Sequence, residues 1–220
     1  MSPRLLSTAY NATWGRVFAA MYDRMLAKAE VGKLGRLRHD LVAPLTGIVV
    51  DVGAGTGVNL RHFGEDAEVT MVEPDRFMAA RLAVKASDLG RSVDVLLAPG
   101  EALPLPDNSA DHVLCTLVLC TAEDPAAVLA EAFRVLKPGG EVHFLEHVRS
   151  DDPKVARIQD RLRGPWSLLG CGCQANRKTG LLFTPAGFVV EQIGREHLKG
   201  CGPMVSEVIV GTARKPLRSA

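Results

Sequence analysis

The stretch Asp51-Val52-Gly53-Ala54-Gly55-Thr56-Gly57 places a carboxylate and three alternating glycines directly after a short apolar run. Glycines at a strand-to-helix turn adopt unusual backbone torsions and let a ligand approach the main chain closely. The amide N–H groups at the start of the following helix face such a ligand and suit its anionic groups. The stretch therefore predicts a ligand-binding loop, although an ordinary tight turn would also account for the glycines.

The spacing of polar residues around this loop separates two classes of nucleotide ligand. A dinucleotide fingerprint G-x-G-x-x-G beginning at Gly53 needs glycine at position 58, where Val58 stands. Asp51 suits an ammonium group, which a dinucleotide lacks. Glu73 follows the next apolar run, where an acidic residue accepts hydrogen bonds from ribose hydroxyls. Its alternative role is to cap the next helix, for which Asp75 is better placed.

The elements that must position these residues follow from hydrophobic periodicity. Strand–helix alternation implies parallel strands joined by right-handed crossovers. We predict an α/β fold, a Rossmann-like three-layer α/β/α sandwich with a seven-stranded, mostly parallel sheet and one antiparallel edge hairpin. The predicted strands are Gly47–Val52, Glu68–Glu73, Ser92–Leu97, Asp111–Leu117, Gly140–Glu146, Phe188–Ile193 and Ser206–Thr212. The predicted helices among them are Val58–Phe63, Arg76–Leu89, Ala126–Leu136 and Pro153–Arg163.

Composition excludes several functional classes. The chain has 220 residues and a net charge of +1, which gives no electrostatic reason to expect a nucleic-acid partner. No apolar run approaches the ~20 residues needed to cross a bilayer, and we see no secretory signal. Five cysteines, an odd count, fit a reducing cytoplasm better than a disulfide framework. The oligomeric state is left open.

Four motifs follow one another across about residues 45–150: V-D-x-G-x-G-x-G, E-P-D, G-E-A-L-P-L-P-D and L-K-P-G-G. In this order they resemble the motifs of the class I S-adenosylmethionine (SAM)-dependent methyltransferases. The resemblance implies SAM as cofactor and S-adenosylhomocysteine as product. It places at the cofactor Asp51, Gly53, Ala54 and Gly55 (methionine part), Glu73 and Pro74 (ribose and adenine), Gly100, Glu101 and Ala102 (adenine edge), and Thr116 and Leu117 (methyl-bearing sulfur). Pro99 departs from the pattern, because many members have an acidic residue there that binds the adenine amino group.

The same resemblance organises the chain as one methyltransferase domain over 1–220. Its parts are a helical N-terminal cap at 1–43, the SAM-binding core at 45–150, and a substrate-side segment with the final strands at 151–213. A second N-terminal helix is predicted from about Lys33 to Pro44. The first carries an apolar stripe: Trp14, Val17, Phe18, Met21, Tyr22, Met25 and Leu26. This helix could cap the SAM cleft with Tyr22, lie on a membrane surface or pack on the sheet.

The acceptor is predicted to be a small, rather apolar molecule. The chain lacks the Asn/Asp-Pro-Pro-aromatic stretch of exocyclic-amine methyltransferases, a Pro-Cys pair and an acidic metal cluster. Residues 98–101, 113–120, 146–148, 170–173 and 177–179 carry a closer resemblance. They are similar to segments of the methyltransferase-like family of small-molecule thiol S-methyltransferases, which implies a thiol acceptor. Alternatives are a C- or O-methyltransferase of a quinone or polyketide, a non-catalytic SAM-binding protein and an NAD-linked oxidoreductase.

Two residues at the end of the fifth strand are candidate bases, His147 ahead of Glu146, because that end borders the cofactor cleft. The alternative is that both only cap or pair there. No metal site is predicted, since Cys171 and Cys173 are one residue apart without a second pair. Cys120, like Cys115, is predicted to be a small core residue.

Overall fold

The computed structural model describes residues 3–217, with side chains described from residue 15 onward. The helices are α1 Pro3–Val31, α2 Lys33–Val42, α3 Arg76–Asp88, α4 Pro125–Val135 and α5 Pro153–Leu169. The strands are β1 Gly47–Val52, β2 Ala67–Val72, β3 Asp94–Leu96, β4 Ala110–Thr116, β5 Leu136–His147, β6 Val189–His197 and β7 Glu207–Arg214. Two 3₁₀ turns lie at Val58–Arg61 and Thr179–Leu181.

The seven strands form one sheet in the order β3-β2-β1-β4-β5-β7-β6. The five strands β1 to β5 pair in parallel, whereas β7 runs antiparallel to both β5 and β6. The predicted fold, including its antiparallel edge hairpin, is therefore confirmed. The chain moves outward from β1 to β3 and then returns to place β4 on the other side of β1. Ligands bind such sheets at this reversal of strand order, outside the carboxyl ends of the strands.

Both faces of the sheet are covered, which explains why its central strands read as continuous apolar runs. On one face, Val128 and Leu129 of α4 pack with Val113 and Phe144 of the sheet. On the other, Leu34 and Leu41 of α2 and Leu82 of α3 pack with Val49 and Leu114. This three-layer packing fixes the ends of β1 and β4, from which the candidate site is built.

Two helical predictions differ from the structure in extent. Residues Val58–Arg61 form a single 3₁₀ turn instead of a helix reaching Phe63. Helix α5 was predicted to end at Arg163, before the helix breakers Gly164 and Pro165, but it continues to Leu169. Its last turn carries Trp166, which packs against a small buried cluster outside α5. This packing stabilises the extra turn, and local propensity does not report it.

Helix α1 lies against α2 and α3. Phe18 and Ala19 are buried with Met78 of α3, and Tyr22 packs beside them. The predicted apolar stripe is only partly buried, because Val17 and Met21 remain exposed, as does Met25; the side chain of Trp14 lies outside the described residues. Among residues 3–217, no helix combines the length and apolarity that crossing a bilayer requires.

We predict that Gly35→Ala separates the two N-terminal helices. A Cβ on Gly35 would lie 1.8 Å from the backbone oxygen of Glu30, so the end of α1 must move away from α2. Overpacking of this kind typically costs about 1–3 kcal/mol. The free energy of urea unfolding should fall accordingly, whereas Gly64→Ala, where the nearest heavy atom to a Cβ is 3.9 Å away, should change it little. Equal stability of the two variants would contradict this packing.

Candidate functional site

Four parallel strands end at the same edge of the sheet and bring the predicted site residues together. Asp51 ends β1 beside Val52, Glu73 follows β2, Thr116 ends β4 and His147 ends β5. All four of these polar residues are buried. A buried polar group is tolerated only where partners compensate its lost hydration, so the contacts of each one show what this edge of the sheet is built to do.

The glycine loop is held against β2 by its backbone. The amides of Gly53 and Ala54 donate to the carbonyl oxygen of Val72 at 2.8 and 3.0 Å. Gly53 and Gly55 have φ values of +66° and +58°, which L side chains rarely adopt. A Cβ on Gly53 would lie 2.3 Å from Val118 Cγ2, in the turn after β4. Glycine is therefore required here by both conformation and space.

Glu73 braces this loop from the next strand. Its Oε2 accepts a hydrogen bond from the Gly55 amide at 2.8 Å, and its Oε1 accepts one from the Asp75 amide at 2.8 Å. Burial raises the pKa of the Glu73 carboxyl above its ordinary value. Asp75 caps α3 by accepting from Phe77 and Met78. Asp75 is therefore confirmed as the cap of α3, whereas Glu73 holds the backbone of the glycine loop.

Asp51 lies fully buried with one oxygen satisfied and one not. Its Oδ2 accepts from Asn59 Nδ2 at 2.9 Å, whereas its buried Oδ1 has no hydrogen-bond partner in the part of the chain that the structure describes. Asn59 also donates to Thr116 Oγ1 at 3.0 Å, which joins the ends of β1 and β4. Burial raises the pKa of the Asp51 carboxyl to about 7. An unpaired buried carboxylate oxygen is costly, so this position calls for a donor or a positive charge.

Arg38 of α2 is a site residue that sequence reasoning missed. Its Nη1 donates to Asn59 Oδ1 at 2.6 Å and to Thr116 Oγ1 at 2.9 Å, while its Nη2 pairs with Glu30 at 2.8 Å. It thus brings a buried positive charge to the ends of β1 and β4. Its sequence signal is a charged residue on the apolar stripe of α2, between Leu34 and Leu41.

Helix α1 crosses the loop from above. Tyr22 Cε1 lies 4.0 Å from the position that a Cβ on Gly55 would occupy. Asp23 accepts a hydrogen bond from Thr56 Oγ1 at 2.5 Å and pairs with Lys85 at 3.0 Å. Of the three arrangements considered for α1, the observed one corresponds to a cap. It places Tyr22 and Asp23 next to the glycine loop.

The residues of the third motif lie beside the same loop. A Cβ on Gly100 would approach Val52 Cγ1 to 2.8 Å, so the segment passes close to the end of β1. Glu101 Oε1 accepts from the Asp124 amide at 3.2 Å, before α4. Ala102 is exposed. The segment therefore borders the loop on the β3 side, as an edge of a cofactor site requires.

Glu146 is occupied by the turn that follows β4. Its Oε1 accepts from the amides of Val118 and Leu119 at 2.9 Å each, and its Oε2 accepts from the Cys120 amide at 3.1 Å. Burial raises the pKa of its carboxyl to about 7. Three backbone donors leave this carboxylate holding the turn in place. Leu117, just before the turn, has a φ of +59°, a conformation that these hydrogen bonds help to maintain.

His147 faces two cysteines that the sequence analysis did not connect with it. Its Nδ1 lies 3.9 Å from Cys120 Sγ and 4.0 Å from Cys173 Sγ, and the two sulfurs are 4.0 Å apart. The hydrogen bond of Cys173 with Cys120, and after that its contact with His147, lowers the pKa of the Cys173 thiol below its ordinary value. We call these three residues the Cys–His–Cys cluster. Its members lie far apart in sequence, so spacing alone carries no signal for it.

The loop after α5 closes this side of the site. Arg177 Nη1 donates to the carbonyl oxygens of Leu119 and Ala122 at 2.6 and 2.8 Å. The amide of Gln174 donates to the Cys120 carbonyl at 2.7 Å. These contacts tie residues 173–177 to the turn after β4 and thereby bring Cys173 to Cys120.

Comparisons with known proteins agree with this geometry. A family model described as a methyltransferase domain matches residues 50–144. A rat thiol S-methyltransferase, TMT1B, is 36% identical over 136 residues, covering 60% of this chain and 55% of that protein. The ubiquinone/menaquinone biosynthesis C-methyltransferase UbiE of Hahella chejuensis is 30% identical over 153 residues, which cover 64% of this chain and 61% of that protein. The chain thus spans little more than half the length of these two relatives.

A solved structure from Thermotoga maritima, of a SAM-dependent methyltransferase described as a possible histamine N-methyltransferase, superposes with a TM-score of 0.67. The two sequences are 23% identical, and the superposition covers 92% of this chain and 98% of the Thermotoga chain. In its matched domain, its relatives and its fold, the chain therefore resembles the class I SAM-dependent methyltransferases. The fold and motifs of that family imply SAM as its cofactor.

The buried polar residues at this edge of the sheet fit the methionine part of SAM. The unpartnered Asp51 Oδ1 requires a donor, which an ammonium group supplies. The guanidinium of Arg38 lies next to Thr116 and would attract a carboxylate, in addition to the Glu30 carboxylate with which it is already paired. Glu73 would hold the ribose hydroxyls in exchange for the backbone amides that it now accepts.

We predict that Asp51→Asn has opposite effects on stability and on cofactor binding. Because the folded-state pKa of Asp51 is raised from 3.8 to about 7, its stabilising contribution is present at low pH and is lost as pH rises through that value. The free energy of unfolding of the variant should therefore rise relative to that of the parent as the pH increases from 5 to 8, because only the parent must then ionise a buried carboxyl group. SAM should raise the melting temperature of the parent at pH 8 but not that of the variant.

The control for this prediction is Asp94→Asn, at an exposed position on β3. It should leave both the pH profile of thermal unfolding and the SAM-induced shift unchanged. An Asp51→Asn variant that still gains the full SAM-induced shift would refute the assignment of the ammonium site.

We predict that Glu146→Gln destabilises the fold, since a glutamine offers one acceptor oxygen where the three amides of the turn now use two. Leaving a buried donor unsatisfied costs about 1–3 kcal/mol, measurable by urea unfolding. The control is Glu123→Gln at an exposed position in the same connection. Unchanged stability with lost methyl transfer would instead indicate that Glu146 acts as a base.

Proposed function

We propose that this protein transfers the methyl group of SAM to the sulfur of a small, rather apolar thiol. The observation that carries the proposal is the continuity between the two halves of the site. Val118 contacts Gly53 of the cofactor loop, and two residues later Cys120 lies beside His147. A single turn of chain therefore joins the cofactor side to the Cys–His–Cys cluster.

The surroundings of His147 favour an apolar acceptor. Cys120, Cys173 and Ala175 form a buried apolar cluster against Trp166. The neighbouring charged groups are engaged by the turn after β4, because Glu146 accepts from its backbone amides and Arg177 donates to its carbonyl groups. The similarity to thiol S-methyltransferases of rat and human supports a sulfur nucleophile.

The chemistry asks little of the protein beyond positioning. When bound, SAM supplies a methyl group on a sulfonium, which is an excellent leaving group. Holding a nucleophile in line with that methyl group can supply ~7–11 kcal/mol of barrier reduction. A thiol with a pKa near ~8.5 is already partly ionised at neutral pH, so His147 needs only to accept the remaining proton. Tyr22 and the α1 helix exclude water from above the glycine loop.

We propose further that residues 1–220 act as one domain in the cytoplasm. The hydrogen bond between Asp23 and Thr56 and the ion pair between Arg38 and Glu30 join the N-terminal helices to the cofactor side. The five cysteines are free thiols, which suits a reducing compartment.

A second candidate is C- or O-methylation of a quinone or related ring, favoured by the similarity to UbiE. We expect incubation with SAM and a panel of alkyl thiols, phenols and quinones to yield thioethers, detected by mass spectrometry. The matched variants are Glu73→Gln, which should lose SAM binding, and Glu68→Gln on the exposed side of β2, which should keep it. A quinone or phenol product without a thioether would overturn the thiol assignment. SAM binding by calorimetry without any product would indicate a non-catalytic protein.

A further inference from the structure

The Cys–His–Cys cluster has the composition and geometry of a three-ligand metal site. Cys120 Sγ, Cys173 Sγ and His147 Nδ1 form a nearly equilateral triangle with sides of 3.9, 4.0 and 4.0 Å. The centre of such a triangle is about 2.3 Å from each corner, which is the Zn–S bond length and slightly longer than Zn–N. The atoms therefore stand almost at coordinating distance from one point.

The three ligands come from rigid and separately anchored parts of the chain. His147 ends β5 and pairs in register with Val208 of β7. The Cys120 amide is held by Glu146, and Cys173 follows α5 in the loop that Arg177 anchors. Preorganised ligands lower the cost of metal binding, because little of the chain must be reordered.

The environment also points to a ligand. The indole of Trp166 packs against Cys120 and Cys173, and its buried Nε1 has no hydrogen-bond partner among the described residues. A buried N–H group without a partner suits a thiolate or another anionic ligand of a bound ion. Two soft sulfur ligands and one imidazole select zinc over the hard cations magnesium and calcium.

We propose that the Cys–His–Cys cluster binds one zinc ion and that the acceptor thiolate takes its fourth position. Structural zinc sites have four protein ligands, whereas catalytic sites keep one position open. This inference rests on the proposed function and makes it more specific. The proposal departs from the prediction of no metal site, which rested on the spacing of Cys171 and Cys173, because Cys120 and His147 are distant from Cys173 in sequence.

The proposed ion changes how the thiol is activated. On binding to zinc, the acceptor R–SH releases its proton to solvent and remains as a thiolate. A bond then forms between that sulfur and the methyl carbon, while the bond between the methyl carbon and the sulfonium sulfur breaks and leaves its electron pair on the cofactor. The thioether product is a weaker zinc ligand than a thiolate and departs. With the ion in place, His147 acts as a ligand and not as a base.

Cobalt(II) is the probe that tests the site itself. The full chain, purified in a non-thiol reductant and stripped by a chelator, should bind one Co²⁺ with thiolate-to-cobalt charge-transfer absorption and the visible bands of tetrahedral cobalt. A second cluster, His112, Glu141 and His143, offers no sulfur, so the charge-transfer band distinguishes the two sites. Zinc should displace the cobalt and bleach the spectrum.

The variants are Cys173→Ser and His147→Gln, with Cys171→Ser as the matched control at an exposed cysteine two residues away. The first two should lose the charge-transfer band or most of its intensity, and the control should keep it. Circular dichroism checks that each variant is folded. The unmodified chain decides the question even if a variant unfolds: no stoichiometric ion, or a cobalt spectrum without sulfur ligation, overturns the site. Formation of a Cys120–Cys173 disulfide in place of metal binding would also overturn the metal site.

The catalytic arm is tested by alkyl thiol methylation with stripped and zinc-restored protein. We expect loss of activity on stripping and recovery on restoration. Equal activity of the stripped protein would overturn the role of zinc and leave the proposed function intact. Stoichiometric zinc with sulfur ligation but no thioether would instead overturn the proposed function and leave the metal site standing.

Discussion

Burial of charge at the carboxyl edge of the sheet is the constraint on which the site depends. Arg38 and Asp51 are both withdrawn from water, and each is compensated through Asn59 and Thr116. Removing one partner from such a network leaves the others uncompensated, which is far more costly than losing a surface ion pair. The network therefore forces α2, β1 and β4 into one arrangement, and Glu30 extends it to the end of α1.

The acceptor side also contains a buried carboxylate, but this one has a different role. Glu146 is a buried carboxylate whose partners are backbone amides of the turn after β4. One carboxylate, Asp51, keeps an oxygen unsatisfied where a cofactor would bring a positive charge. The other is fully satisfied and shapes the chain between Val118 and Cys120. The difference in hydrogen bonding, and not in burial or pKa, separates a binding group from a positioning group.

Local patterns were sufficient to predict the seven strands, the hairpin and the glycine loop, because these depend on residues close in sequence. Asp75 was also recognisable as a helix cap. The role of Arg38 was not predicted, because a basic residue on a short helix is normally solvated. Its position on the apolar stripe of α2 is the feature that indicates burial. The meeting of Cys120, His147 and Cys173 depends on how the loop after α5 packs against the turn after β4. Such tertiary contacts override local propensity and leave no periodic trace.

The insertion of β7 between β5 and β6 has a consequence for synthesis. β5 pairs Glu141 with Arg214, a contact spanning about a third of the chain. Contacts this distant in sequence form slowly, and until β7 emerges from the ribosome β5 presents an unpaired edge. The cofactor half, complete with β4, can assemble early during translation. His147, which is fixed by its pairing with Val208, takes its place last, so a nascent chain would acquire a nucleotide-binding surface before it acquires the acceptor side.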